Sequence, residues 1–228
     1  MSERHTIYVL VEGETEERFI KDVLDPYLNR RSIHMRIVPF KVNTSNRGGV
    51  AHKGGVSNYT KLRKELTMVC NSHPHAIIST MFDLYGFPAI DGVDRTDAKQ
   101  IEEWIHDDIG TDNLIPFIMK HEFEALLFSD IEQFQENKEL RKSLNRILRE
   151  FDGMPESINT NASPSHRLET AFNKVGEKYS KNMIGISVAK RIGIDNMRAR
   201  CPHFNEWVGK LEHACNDATS DDGFDYRS

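Results

Sequence analysis

The sequence predicts an α/β protein with a mainly parallel sheet flanked by helices and a C-terminal helical lobe. Short apolar runs alternate with amphipathic helical patterns through the first half of the chain, which is typical of βαβ units with right-handed crossovers. Beyond about residue 129 only helical patterns occur. We therefore predict an α/β domain at residues 1–128, a helical lobe at 129–215 and an acidic, disordered tail at 216–228.

Four apolar runs are the predicted strands. They are rich in β-branched and aromatic residues and end at polar positions. Pro39 lies within the second run, and because proline donates no ladder hydrogen bond we expect this strand at an edge of the sheet. The runs cover residues 6–11, 35–42, 76–82 and 114–120.

Apolar residues at the 3.6-residue period predict the helices. Thr15 is a candidate cap for the helix that follows the first strand. In the C-terminal half, the predicted helices cover residues 138–150, 164–174, 181–191 and 203–215.

The composition favours a reduced, soluble protein. The chain has 228 residues, of which 38% are hydrophobic, enough for one large domain or a domain with an added lobe. Cys70, Cys201 and Cys215 are too few and too scattered for a disulfide framework or a zinc site. No apolar run approaches the roughly 20 residues of a membrane span, and the N-terminus has no apolar signal region. We expect a cytoplasmic protein with no membrane partner.

A net charge of −5 conceals a sharp partition of charge along the chain. Residues 26–64 contain no Asp or Glu, whereas acidic residues outnumber basic ones over residues 83–139. A basic region beside an acidic one is expected of a metal-dependent enzyme that acts on a polyanion, the alternative being an ordinary solvated surface. The basic residues of the first region are Arg30, Arg31, Arg36, Lys41, Arg47, Lys53, Lys61, Arg63 and Lys64.

A glycine-rich loop at residues 43–58 is the candidate phosphate-binding segment. Its backbone amides and basic side chains, Arg47 and Lys53 foremost, are suited to clamp phosphates, with Lys41 and Lys61 on either side. We therefore expect nucleic acid as a partner, with DNA favoured over RNA. No GxxxxGK[ST] motif is present, so any ATP hydrolysis would belong to a partner protein.

Carboxylates follow three of the predicted strands. Glu12 follows the first, Asp83 the third, and Glu122 and Glu124 the fourth. Because ligands bind beyond the carboxyl ends of an open parallel sheet, we expect these acids to converge. Glu16 lies one helical turn after Glu12 and can face the same cleft. Converging carboxylates repel one another unless a divalent cation lies among them, and oxygen-only ligands favour Mg²⁺ or Mn²⁺.

Each of these acids also has an ordinary structural alternative. Glu16 could complement the positive end of its helix, and Asp83 could cap a turn. Glu122 and Glu124 could be solvated acids on either side of Phe123.

Two basic residues are candidates to contact the metal ligands without binding the metal themselves. His121 directly precedes Glu122, with a hydrogen-bonded structural histidine as the alternative. Arg167 lies near the start of a helix that Ser163 or Ser165 would cap, where a cation opposes the helix dipole unless an anion is close. We therefore predict that Arg167 borders the acidic cleft, an ordinary surface arginine being the alternative.

The chain resembles the Toprim fold of primases, topoisomerases and OLD-type nucleases. The similarity begins with a strand that runs into Glu-Gly-x-Thr-Glu at residues 12–16, and with an apolar strand that ends at Asp83. The segments MFDLYGFP, DNLIPFIMKHEFEALLFSD, PSHRLE and RARCPHFNEWVGKLE resemble a bacterial Toprim-like family of unknown function over nearly the whole chain. This resemblance implies a Toprim-like fold, an ATPase encoded nearby as a partner, and a role in defence against foreign DNA.

The resemblance also assigns roles by position. Glu12 matches the Toprim glutamate proposed as general base or acid, and Asp83 matches the first acid of its Asp-x-Asp motif. Tyr85 stands where the second acid is expected. Either Glu122 or Glu124 replaces that ligand or the site is degenerate. We favour replacement, because an inactive site would have little reason to keep so many mutually repelling acids.

The sequence therefore predicts a Mg²⁺- or Mn²⁺-dependent phosphodiesterase, and more narrowly a DNA nuclease. Glu12, Asp83 and one or both of Glu122 and Glu124 would hold one or two metals, with Glu12 and Asp83 as catalytic residues. The alternative is a non-catalytic Toprim-fold subunit that binds nucleic acid or an ATPase. Small-molecule phosphoryl transfer is disfavoured because the basic segment is longer than one nucleotide needs. The sequence leaves the oligomeric state open.

Overall fold

The computed structural model describes residues 6–31, 36–42, 58–135, 137–159 and 162–220. Within these residues the chain forms a five-stranded sheet whose pairings are all parallel, which confirms the predicted α/β class. The order across the sheet is β2-β1-β3-β4, and β5 also pairs with β3. The strands are β1 (Thr6–Val11), β2 (Arg36–Lys41), β3 (Ile77–Asp83), β4 (Leu114–Ile115) and β5 (Ile118–Met119).

Helices flank the sheet and make up the C-terminal part of the described chain. None of these helices combines the length and apolar character that crossing a bilayer requires. A 3₁₀ helix, Phe123–Ser129, follows β5, and π-helical turns at Ile20–Leu24 and Lys181–Gly185 precede α2 and α7. The α-helices are α1 (Glu14–Phe19), α2 (Asp25–Arg31), α3 (Tyr59–Ser72), α4 (Ala98–Ile109), α5 (Lys138–Arg149), α6 (Pro164–Lys174), α7 (Ile186–Arg200) and α8 (Pro202–Ser220).

β2 lies at an edge of the sheet, as Pro39 predicts. The fourth predicted strand, in contrast, is divided into β4 and β5, because Pro116 cannot donate to the ladder. The side chain of Thr80 in β3 bridges the gap. Its hydroxyl donates to the carbonyl of Phe117 and accepts from the amide of Phe117, both at 2.8 Å. The interruption therefore leaves no buried backbone group of Phe117 unsatisfied.

The two faces of the sheet contribute to separate apolar cores. On one face, Leu10 and Ile78 pack with α3 and α4. On the other face, Val9 of β1 shares a core with Val188 of α7 and Val208 of α8. The C-terminal helices thus pack directly on the sheet, while the boundary drawn after residue 128 stays a prediction.

The last helix is longer than the sequence pattern indicates. α8 continues to Ser220, so the predicted start of the tail, residue 216, falls within a helix. The buried side chain of Cys215 anchors α8 near this point, and helix once started propagates readily. Residues 221–228 lie outside the described part of the chain.

Candidate functional site

A cavity of about 430 Å³ opens at the carboxyl ends of β1 and β3. The parallel register pairs Val11 with Met81 and so brings the residues after both strands to one edge of the sheet. All five predicted metal ligands lie in its lining, which is the convergence that the strand ends predict. The lining residues are Glu12, Gly13, Thr15, Glu16, Met81, Asp83, Glu122, Glu124, Ser165, Glu169, Tyr179 and Lys181.

Gly13 gives the Glu16 carboxylate room to fold back toward the cavity. A β-carbon on Gly13 would lie 2.7 Å from Oε2 of Glu16, which is closer than two such atoms can approach. The backbone of Gly13 is extended, so any residue could adopt its conformation. Space beside Glu16, and not backbone freedom, therefore accounts for glycine here.

Thr15 anchors a distant segment and does not cap α1, contrary to the prediction. The helix begins one residue earlier, at Glu14, which leaves the Thr15 hydroxyl free to donate to the side-chain oxygen of Asn182. Arg18 donates to the backbone carbonyl of Asn182 at 2.7 Å, and the Asn182 amide donates to Glu14 at 3.2 Å. Together these contacts fasten Lys181–Gly185 to α1.

The ammonium group of Lys181 lies among the converging acids. Its Nζ atom is 3.3 Å from Oε1 of Glu16, 3.5 Å from Oε2 of Glu124 and 3.9 Å from Oδ2 of Asp83. Sequence reasoning missed this residue, because no spacing or periodicity relates Lys181 to strand ends far earlier in the chain. The local sequence around Thr15 and Glu16 does not indicate Lys181 either, because the hydrogen bond from Thr15 to Asn182 forms only in the folded protein.

Burial and mutual repulsion perturb the charges of the site. Burial raises the pKa of Asp83 well above its usual value; Lys181 opposes the shift, and Glu16, Glu12 and Glu124 add to it. Burial likewise raises the pKa of Glu124, against the effect of Lys181. For Lys181, burial lowers the pKa, but the surrounding carboxylates outweigh it and the net shift is upward. The cavity therefore favours a cation and disfavours further negative charge.

Glu124 is held in place by a buried tyrosine. The Tyr179 hydroxyl donates to Oε1 of Glu124 at 3.4 Å, and a β-carbon on Gly185 would lie 2.7 Å from that hydroxyl. Glycine at 185 thus leaves room for Tyr179 to reach the carboxylate. Neither Oε2 of Glu124 nor Oδ1 of Asp83, both buried, has a hydrogen-bond partner among the described residues.

Glu122 occupies a different position, at the start of α6. Its Oε2 atom accepts a hydrogen bond from the backbone amide of Ser165 at 2.9 Å. That amide belongs to the first helical turn, where backbone donors lack intrahelical partners. Ser163 is the N-cap, one of the two predicted candidates, and its hydroxyl accepts from the amide of His166 at 3.4 Å. Glu122 therefore stabilises a helix start while it lines the cavity.

The acids surround an ammonium group and do not form a coordination shell. Over the described ranges, no three side chains among His, Cys, Asp and Glu are grouped as a metal ion requires. The donor chemistry still fits Mg²⁺ or Mn²⁺, because the lining offers carboxylate oxygens and one of them, Oδ1 of Asp83, is buried without a hydrogen bond.

His121 and Tyr85 lie beside the cavity and not in its lining. Their ring centroids are 5.4 Å apart. Nε2 of His121 donates to the carbonyl of Glu156 at 3.1 Å, and the Tyr85 hydroxyl donates to the carbonyl of Asn159 at 3.4 Å. Burial lowers the pKa of His121, which favours the neutral ring. Both side chains thus connect the sheet edge to the segment before α6.

Arg167 pairs with an acid outside the cavity, which corrects the prediction that it borders the acidic cleft. Its Nη1 atom lies 3.1 Å from Oε2 of Glu150, and its guanidinium stacks over Phe151 with 4.9 Å to the ring centroid. Ser165 and Glu169 of the same helix line the cavity instead. The helical rotation between these positions and Arg167 explains why it faces another neighbour.

Similarity to known proteins supplies a family but not an activity. The model of a family described as "Domain of unknown function (DUF4276)" matches residues 11–212, which include every residue of the cavity lining. The chain belongs to this family. The match confirms the predicted membership of a family of unknown function, while the Toprim assignment stays a prediction.

Beyond the family match, a solved structure is similar to this DUF4276 chain. It is the C-terminal region of the Xanthomonas campestris pv. campestris OLD protein, which shares 14% identity with a TM-score of 0.36. That similarity covers 91% of this chain and 97% of the other. No curated protein matches.

The predicted basic region of this DUF4276 chain is partly neutralised from within. In the described part of this region, basic side chains form ion pairs with acids of other segments, so they are less available to a polyanion than the sequence suggests. The pairs are Lys41–Glu17 at 3.2 Å, Arg63–Asp108 at 2.8 Å and Arg31–Asp195 at 2.9 Å.

The remaining candidate nucleic-acid contacts are only partly described. Lys61 is exposed in the first turn of α3. Arg47 and Lys53 lie outside the described residues, so their proposed phosphate contacts stay predictions.

Proposed function

We propose that this chain is a Mg²⁺- or Mn²⁺-dependent phosphodiesterase that acts on nucleic acid, with DNA favoured over RNA. The observation that carries the proposal is the convergence of Glu12, Glu16, Asp83 and Glu124 on one cavity. These acids come from four places, namely the turn after β1, α1, β3 and the 3₁₀ helix, and their mutual repulsion is unfavourable in the absence of cations. A site of this composition is suited to divalent metal.

Glu12, Asp83 and Glu124 are the proposed ligands. Of the two acids that could replace the missing second Toprim acid, Glu124 is favoured over Glu122. Tyr179 engages one oxygen of Glu124 and leaves the other turned toward Lys181, whereas the Glu122 carboxylate is engaged by the start of α6.

Besides holding the metal, side chains of the site would accept a proton and keep a ligand in position. When bound, the metal would polarise the scissile phosphate, help to generate hydroxide and neutralise the leaving oxygen. The Glu12 carboxylate is proposed to accept a proton from the attacking water, the role that the Toprim resemblance implies. The Tyr179 hydroxyl fixes the orientation of Glu124, which matters because small displacements of such groups cost large factors in rate.

A non-catalytic interaction subunit is the second candidate, and specific observations favour it. Lys181 neutralises carboxylates without any metal, and Tyr85 stands where the Toprim resemblance expects an acid. A scaffold that binds nucleic acid or an ATPase could retain the acids for that internal pairing. On either reading, an ATPase partner and a role in defence against foreign DNA are proposed on the resemblance alone.

The decisive experiment measures cleavage of end-labelled single-stranded DNA, duplex DNA and RNA in Mg²⁺, Mn²⁺ or EDTA. We expect the parent chain to cleave DNA only when metal is present. Loss of a residue that hydrogen-bonds to a metal ligand, without binding the metal itself, typically lowers activity by roughly 10- to 100-fold. Glu124→Gln and Asp83→Asn remove proposed ligands, so the cleavage rate should fall by more than this. Glu103→Gln, at an exposed position of α4, is the matched control and should retain full activity.

Two results would contradict the proposal. Cleavage that persists in EDTA or in Glu124→Gln would show that another site or a contaminant acts. Absence of both cleavage and metal-dependent stabilisation in the parent would support the interaction subunit.

A further inference from the structure

The position of Lys181 is fixed by several contacts of its backbone segment, unlike that of a surface lysine that reaches an acid by chance. Its backbone segment is fixed to α1 through the contacts of Asn182 with Thr15, Arg18 and Glu14. The ammonium lies within 4 Å of three acids from three elements, and 5.9 Å from the ring centroid of Phe123. This position of the ammonium depends on how α1, β3, the 3₁₀ helix and the turn before α7 are placed relative to one another.

The same three acids include two of the proposed metal ligands. Lys181 contacts Oε2 of Glu124 and Oδ2 of Asp83. A divalent cation bound to these carboxylates would lie close to the ammonium, and two cations at such separation repel strongly where water is scarce. The ammonium and the metal therefore compete for one position.

We propose that Lys181 is a resident counter-cation, which holds the carboxylates together in the metal-free protein and leaves them when a divalent metal binds. This inference rests on the proposed function, since it assumes that the site takes metal. Lys181 would then lower the affinity of the site for metal, because the metal must displace the ammonium from the carboxylates.

The geometry permits such an exchange without unfolding. The Lys181 side chain is 34% exposed, whereas the Glu124 side chain is only 1% exposed. A lysine has a flexible four-carbon stem, so the ammonium can turn outward to water while Asn182 keeps the backbone in place.

The test is a titration of Mn²⁺ against the full chain, with Kd measured by calorimetry at fixed ionic strength. Lys181→Met removes the competing charge and should lower the Kd for Mn²⁺ by about tenfold or more. Lys181→Arg keeps the charge and should bind no more tightly than the parent. Lys178→Met is the matched control: it removes the same charge from an exposed position three residues away, and screening should limit its effect to about twofold.

A second measurement uses the parent chain and does not depend on the folding of Lys181→Met. With ¹⁵N-labelled lysine, the Lys181 ammonium resonance is identified by its absence from Lys181→Arg. Addition of diamagnetic Mg²⁺ should shift that resonance and accelerate its exchange with water, as the ammonium leaves the acids. A resonance that stays unchanged at saturating Mg²⁺ would overturn the inference.

The outcomes separate the inference from the proposed function. If the parent binds Mn²⁺ and Lys181→Met binds it equally or less tightly, the counter-cation role is wrong and the metal site stands. If only Lys181→Met binds Mn²⁺, the competition is supported, and the unmodified chain is not a metal enzyme under those conditions. If neither binds, both proposals are wrong.

Discussion

The hydroxyl of Thr15 donates a hydrogen bond to the side-chain oxygen of Asn182, although the two residues are 167 positions apart. This contact joins the residue directly before Glu16 to the residue directly after Lys181. It therefore fixes the backbone on both sides of an ion pair in the candidate site.

Loss of this hydrogen bond should destabilise the fold by a measurable amount. Thr15→Val keeps the shape and removes the hydroxyl, and we expect the free energy of unfolding to fall by about 1 kcal/mol or somewhat more, since Asn182 loses a donor in a partly buried place. Urea denaturation measures the change. Thr60→Val, at an exposed position of α3, should stay within about 0.5 kcal/mol of the parent. Equal stability of the two variants would show that the contact contributes nothing.

The space beside Gly13 gives a second prediction. Gly13→Ala places a β-carbon 2.7 Å from Oε2 of Glu16, so either the carboxylate or the start of α1 must shift. We expect a loss of about 1 kcal/mol or less, below the range typical of overpacking, because the atom that the β-carbon meets is the end of a side chain that can turn aside. Gly209→Ala is the control: a β-carbon at that position would meet no atom within 4 Å, and alanine is a better helix former by about 1 kcal/mol.

Thermal or urea unfolding of both glycine variants gives the comparison. Gly209→Ala should match or exceed the parent, while Gly13→Ala falls below it. If Gly13→Ala is as stable as the parent, Glu16 moves away at no cost, and its position in the cavity is not specified by the fold.

The convergence of the acids was predictable because it follows from strand direction alone. Parallel pairing of β1 and β3 brings Glu12 and Asp83 to one edge, whatever the details of packing. The sequence also located the edge strand, since Pro39 excludes a central position.

The residues that sequence reasoning missed depend on tertiary contacts. Lys181 reaches the site only because Asn182 is fixed to α1, and no local pattern encodes that contact. Arg167 was misplaced because its position near a helix start suggested an anion, but the anion is Glu150 and not a cavity acid. The position of Arg167 near a helix start indicated that an anion lies close to it, but not which residue supplies that anion.

The raised pKa of Asp83 gives a prediction about pH. Burial is the largest cause, and nearby acids add to it, so the folded protein holds this proton more tightly than the unfolded chain does. The resulting stability is fully present below the unfolded pKa of about 3.9 and is lost as the pH rises through the folded pKa. Asp83→Asn cannot lose a proton, so without metal it should be more stable than the parent at pH 7, by on the order of 1 kcal/mol.

Urea denaturation in EDTA between pH 4 and pH 8 tests this sign. The advantage of Asp83→Asn should shrink as the pH falls toward 4. Asp91→Asn, which changes an exposed acid, should show no such trend. If Asp83→Asn is less stable than the parent at pH 7, the attraction between Asp83 and Lys181 outweighs burial and repulsion.

The different contacts of Glu122 and Glu124 lead to opposite expectations for their variants. Glu122→Ala removes the acceptor for the Ser165 amide and should cost about 1 kcal/mol of stability, as loss of a helix cap does. Its melting temperature should still rise on addition of Mn²⁺. Glu124→Gln keeps the Tyr179 contact but removes the charge, so it should lose most of the Mn²⁺-dependent rise. A larger loss of metal response in Glu122→Ala would assign the ligand role to Glu122 instead.

Tyr85 provides the test of whether the site is complete without a second Toprim acid. Tyr85 is 48% exposed, so its substitution removes the hydrogen bond to the carbonyl of Asn159 and the ring contact with His121 but leaves the apolar core intact. If Glu124 has replaced the missing ligand, Tyr85→Asp should change the Kd for Mn²⁺ by about twofold or less in the parent. In a Glu124→Gln background the same change should restore part of the lost affinity, because a carboxylate returns to the neighbourhood of Asp83. Tyr85→Asn is the matched control, since it has the same shape without the charge and should restore nothing. Calorimetric titration with Mn²⁺ compares the parent with Tyr85→Asp, with Glu124→Gln, and with Glu124→Gln combined with either Tyr85→Asp or Tyr85→Asn. Tighter binding by Tyr85→Asp than by the parent would mean that the site lacks a ligand. No recovery of affinity when Tyr85→Asp is added to Glu124→Gln would mean that residue 85 cannot reach the metal.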